Sequence, residues 1–132
     1  MRKRSKNKAT IDKADRAVQD FYRAKYPNRK CEVCLVNQFY CVHHFIEKSK
    51  SNSLRFNSLN LIFICKRCHS LHHCFGDSTI HAKIIEKRGL KWWIKLEKEN
   101  KIKKQYWTGK ELESIISYYQ KWKPKKSIAT PF

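Results

Sequence analysis

Cys31-x-x-Cys34 and Cys65-x-x-Cys68 are two identically spaced cysteine pairs separated by thirty residues. A C-x-x-C turn brings two thiolates to one side of a metal, and two such turns close the tetrahedral shell of a structural zinc ion. Cys41 and Cys74 match neither pair and read as small apolar residues. Within and just after the interval stand five of the six histidines: His43, His44, His69, His72 and His73. Four sulfurs fill a zinc shell, so the imidazoles are left over. His69 and His73, i and i+4, share one face of any helix through them. With His43 they offer three imidazoles to a second metal, leaving positions open for water and substrate as a catalytic site needs. His72, i+3 from His69, is the rival of His73 for that place. Ligand softness favours a borderline transition metal such as Zn or Ni, while cellular supply favours Mg or Mn.

These side chains need elements to hold them. "FYCVHHF" and "NLIFIC" are short apolar, aromatic or β-branched runs, joined by the polar "EKSKSNSLRFNS", and predict two antiparallel strands with a long loop. "KRCHSLHHCF" then predicts a short helix ended by Gly76. Before the hairpin, Ile11, Ala14, Ala17, Val18, Phe21 and Tyr22 recur at helical spacing, with Thr10 as cap and Pro27 as stop; residues 1–9 read as a flexible basic arm. After it, "STIHAKIIEKRG", with Gly89 as stop, and "LKWWIKLEKENKIKK" predict helices. "WTGKELESIISYYQKWK" opens with a capping box from Thr108 to Glu111, and the tail "PKKSIATPF" predicts disorder.

"VHHFI", then Asn60 before an apolar run, then "CKRCH", resembles the HNH endonuclease motif, the ββα-metal fold, in the subgroup whose hairpin and helix are tied by a CxxC…CxxC zinc. The likeness covers residues 29 to 75. It implies an α+β fold, a small ββα-metal, zinc-stapled core with flanking α-helices. It also implies that His43 is the first ligand of a catalytic divalent metal and His44 the general base. Asn60 would hold the loop and the base's strand, His69 would be the ligand directly after the fourth cysteine, and His73 would complete the set. Hydrolysis would leave 5′-phosphate and 3′-hydroxyl ends on DNA. The layout "HFIEKSKSNSLRFNSLN…CKRCH" with the following helix is similar, more loosely, to phage recombination endonucleases of the NinG/Rap type, which implies branched DNA as substrate and, for a phage-encoded chain, the host cytoplasm.

Composition fits a polyanion partner. Thirty Lys and Arg against eleven Asp and Glu give +19 over 132 residues. Residues 1 to 30 carry eleven basic against three acidic residues and 76 to 132 carry fourteen against six, so the charge flanks the histidine region, and DNA, duplex or branched, is the expected partner. Candidate phosphate contacts are Arg2, Lys3 and Arg4 in the arm and Lys48, Lys50, Arg55, Lys66 and Arg67 around the hairpin and helix. Trp92, Trp93, Trp107 and Trp122 could stack on unpaired bases, but aromatics in amphipathic helices more often pack in a core. Cutting both strands would call for two copies, a homodimer. Three regions follow: 1–28, basic arm and helix; 29–76, the zinc-bearing core; 77–132, a basic helical extension. No apolar run approaches the roughly 20 residues of a membrane span and the basic start lacks a signal peptide's apolar core, so a reducing cytoplasm is expected. That disfavours a disulfide-bonded secreted protein. The remaining rival is a non-catalytic zinc-dependent DNA-binding module.

Overall fold

The computed structural model describes residues 2–75 and 78–122, the side chains of 2–6, 72–75 and 78–79 excepted. Gly76, the tail, and the side chains of Arg2, Lys3, Arg4, His72, His73 and Cys74 therefore lie outside the described residues. Mixed helix and strand make an α+β chain, mostly helical, that divides into two compact units: Met1–Pro27 with Trp107–Phe132, and Asn28–Tyr106.

The first unit pairs helix α1 (Arg2–Lys25) with α5 (Gly109–Lys121). Among the described residues, α5 is preceded by β1 (Cys41–His44), β2 (Leu61–Ile64), α2 (Lys66–Phe75), α3 (Ser78–Arg88) and α4 (Leu90–Asn100). The stripe read from the sequence is the packed one. Ala14, Ala17 and Val18 are buried, as are Leu112 and Ile116 of α5. The capping box is present, Thr108 Oγ1 accepting from Glu111 N–H and Glu111 Oε1 from Thr108 N–H. The expected flexible arm is corrected: α1 runs unbroken from Arg2, and Thr10 lies inside it instead of capping it. Residues 2–9 contain neither Gly nor Pro and are rich in Arg and Lys, which propagate a helix well.

In the second unit β1 and β2 are antiparallel, with Cys41 opposite Ile64, Val42 opposite Phe63, His43 opposite Ile62 and His44 opposite Leu61. All of β2 is buried, as a continuous apolar run requires. The loop between the strands is tighter than its polar sequence suggests: it folds into two 3-10 turns, Asn52–Leu54 and Ser58–Asn60, and Asn57 caps the second by accepting from Leu59 N–H. Upstream, residues 30–40 form a knuckle hung on β2, with Cys31 N–H donating to Asn37 C=O, Glu32 N–H to Phe63 C=O and Tyr40 N–H to Ile64 C=O. α3 and α4 belong to this unit as well. They meet at Gly89, whose φ of 95° is a backbone state that only glycine enters cheaply. Ile80, Ile84 and Leu96 close the core against Phe45, Leu54, Ile62 and Ile64. Among the described residues no helix is long and apolar enough to cross a membrane.

Candidate functional site

The four cysteines of the two pairs converge. The sulfurs of Cys31, Cys34, Cys65 and Cys68 all lie within 4.8 Å of one another. A zinc tetrathiolate with Zn–S bonds of about 2.3 Å separates neighbouring sulfurs by about 3.8 Å, and Cys34 Sγ and Cys65 Sγ stand 3.8 Å apart. Peptide N–H groups of the knuckle and of the first turn of α2 point at the sulfurs: Val33 and Cys34 donate to Cys31 Sγ at 3.3 and 3.5 Å, and Cys68 to Cys65 Sγ at 3.4 Å. Burial pushes the Cys31 and Cys68 thiols up. At Cys34 burial acts the same way but is outweighed by the N–H groups of Asn37 and Val36, which bring it down to about 6; at Cys65 it is outweighed by Cys68 N–H. Four adjacent thiolates repel one another, and a divalent cation is the partner that ionises all four. The cluster can hold a metal ion, and its donor set and spacing fit zinc. Cys41 stands apart from it, buried in β1.

The same hairpin presents the histidines. His43 and His69 meet edge to face, ring centroids 5.1 Å apart. β1 supplies the first and the opening turn of α2 the second, just after Cys68, so the cysteine cluster fixes the end of α2 from which His69 projects. Two imidazoles bound to one ion through nitrogens about 2.1 Å away, roughly 100–110° apart, would put their ring centres about 5 Å from each other. The observed centroid spacing of 5.1 Å is of that size. His73 lies one turn further along α2, its side chain outside the described residues.

His44, the next residue of β1, has its Nε2 2.7 Å from the carbonyl oxygen of Arg55. A carbonyl only accepts, so Nε2 carries the proton and donates, and in the neutral ring the lone pair sits on Nδ1. The 3-10 turn that presents this carbonyl is in turn held by Asn60. That side chain is fully buried; its Oδ1 accepts from Ile46 N–H at 2.7 Å and its Nδ2 donates to Ile46 C=O at 3.0 Å and to Leu54 C=O at 3.3 Å. One amide thus ties the exit of β1 to the turn before Arg55.

Comparisons of the chain with family models, with curated proteins and with solved structures each find no match. Any functional reading accordingly stands on residues and geometry.

Of the candidate phosphate contacts, Lys48 and Lys50 are exposed beyond β1, Lys66 and Arg67 are exposed on the first turn of α2, and Arg55 is half-buried. Trp92 and Trp93 pack against the core around Phe45, and Trp92 Nε1–H donates to Leu59 C=O.

Sequence reading missed the support behind the knuckle. Glu32, between the first two cysteines, is buried and receives Arg88 through Nε at 2.8 Å and Nη2 at 2.6 Å, as well as Phe63 N–H at 2.9 Å. Burial alone would raise its carboxyl; Arg88 outweighs that and holds it below the usual carboxylate range. An acid inside an apolar knuckle of a basic chain was the available signal.

Proposed function

We propose that the chain is a metal-dependent DNA endonuclease of the HNH type, with a ββα-metal core in which His43, His69 and His73 hold a divalent ion and the four cysteines hold a structural zinc. The observation that carries this reading is the juxtaposition on one hairpin and helix of the His43–His69 pair with His44, whose ring is fixed through Nε2. Packing alone gives no reason to set two imidazoles edge to face beside a third whose ring is oriented by a backbone carbonyl.

His44 Nδ1 takes a proton from water as the water oxygen attacks phosphorus and the bond to the 3′ oxygen breaks. As the ring becomes an imidazolium, its Nε2–H bond to the Arg55 carbonyl becomes charge-assisted and stronger, so the arrangement favours the protonated product of that step. Asn60 acts at a distance: it keeps the Arg55 turn in place, and with it the tautomer of His44. Lys66 and Arg67, exposed on the same helix as His69, are suited to a phosphate backbone. A divalent ion, when bound by His43 and His69, would supply positive charge for the phosphate and the leaving 3′ oxygen.

The test is cleavage of duplex, single-stranded and four-way-junction DNA with and without Mg or Mn. Metal-dependent products bearing 5′-phosphate are expected. Binding without cleavage under every metal condition would leave a zinc-dependent DNA-binding module. Preference for the junction would extend the reading to branched recombination intermediates.

A further inference from the structure

The α1 and α5 unit carries more aromatic surface than its own packing uses. Ala14, Ala17, Val18, Leu112 and Ile116 already close its interior. Beyond them Phe21 meets Tyr119 at 4.9 Å and Trp122 at 5.5 Å, both edge to face, while Tyr118 stands perpendicular to Tyr119 and remains 68 % exposed. Phe21, Tyr118 and Trp122 line a groove of about 770 Å³ together with Lys25, Lys110 and Lys121. Glu113 is the acidic residue lining it. Lys110 and Lys121 stand eleven residues apart on α5, about 16 Å along the axis.

We propose that this groove binds unpaired nucleotides of a DNA strand, with Tyr118 and Trp122 stacking on bases and Lys25, Lys110 and Lys121 meeting the phosphates. Rings offered at the surface between spaced cations are what a single strand requires, because every base has a π-face and every linkage a charge. A membrane surface fits less well: a helix lying in lipid needs a broad exposed apolar face, and of the described residues of α5 Tyr118 is the large hydrophobic one that is strongly exposed. The inference goes beyond hydrolysis. It is read as binding without added divalent metal, so its failure and that of the nuclease reading are separable.

The experiment measures, by fluorescence anisotropy with the full chain, binding to a labelled thymidine oligonucleotide of about 15 residues and to an abasic strand and a duplex of equal length. The wild-type protein is expected to bind the thymidine strand about tenfold tighter than the abasic one. Tyr118→Ala should weaken thymidine-strand binding about tenfold while changing duplex binding less than about twofold, and Tyr118→Phe should restore it. Changing Lys25, Lys110 and Lys121 together to Ala should flatten the salt dependence on the thymidine strand by about two units of log K per log salt. Equal binding of thymidine and abasic strands, or unchanged binding by Tyr118→Ala with its helix content intact, would overturn the proposal. So would preferential binding of phosphatidylserine vesicles.

Discussion

At the scale of single residues, the proposed chemistry turns on the tautomer of His44. Its Nε2 bond to the Arg55 carbonyl is part of the loop's geometry, whereas Nδ1 is the atom assigned to the reaction. His44→Ala should therefore lower the cleavage rate about 10²- to 10⁴-fold while leaving DNA affinity nearly unchanged, as rates and binding curves measured side by side would reveal. A variant cutting at near wild-type rate would remove His44 as the base. Leu35 gives a prediction of the opposite kind, about stability alone. It follows Cys34 with φ of 62° and is 60 % exposed, so the backbone is left-handed at a residue that gains little from burial. Leu35→Gly should raise stability by about 0.5–1 kcal/mol with zinc stoichiometry unchanged, and a thermal melt with metal analysis checks both.

At the scale of elements, the knuckle, hairpin and α3 are tied by two clamps. The cysteine cluster is one: it joins the knuckle to the start of α2. Cys65→Ser should lose the metal and with it cooperative folding of residues 28–106, visible as a metal-free protein with a broad melt; a zinc-free protein melting unchanged would show the site misassigned. Glu32 with Arg88 is the other, joining knuckle and β2 to the end of α3. Arg88→Ala leaves a buried carboxylate unpaired and should cost about 3–5 kcal/mol. The depressed Glu32 carboxyl contributes stability that is fully present above its unfolded value, near 4.5, and is lost as pH falls through its lower folded value. Glu32→Gln should therefore flatten the acid limb of the melting-temperature profile relative to wild type in that window. The two clamps were not equally legible. Ligand spacing is local, so C-x-x-C announces itself; Glu32 and Arg88 are fifty-six residues apart, and nothing periodic connects them. The hairpin and α2 could be read from runs of β-branched and apolar residues, but the orientation of His44 could not, because it depends on a carbonyl placed by the 3-10 turns that Asn60 holds. The start of α1 was misread because Thr10 has a cap's chemistry, while the residues before it have a helix's propensity.

At the scale of the molecule, charge is the dominant property, and both units carry it. The first has fourteen basic against five acidic residues, the second sixteen against six. Neither unit is therefore a neutral scaffold for the other, and a polyanion is attracted to either. The hairpin and α2 offer few side chains for reading base edges, so affinity should come mainly from phosphates and depend weakly on sequence. If about six phosphates are neutralised on duplex DNA, log K should fall against log salt with a slope near −5. Residues 1–9 contribute five of the basic side chains, Arg2, Lys3, Arg4, Lys6 and Lys8, and among the residues of α1 whose side chains are described the first buried one is Ala14. Deleting them should leave the packing of α1 on α5 and the cysteine cluster intact while making the slope shallower by about one unit for each phosphate that is no longer neutralised. Anisotropy titrations at several salt concentrations, with zinc content measured on the same samples, decide it. An unchanged slope would move the phosphate-binding side chains away from the start of α1, to the lysines and arginines of the hairpin and α2.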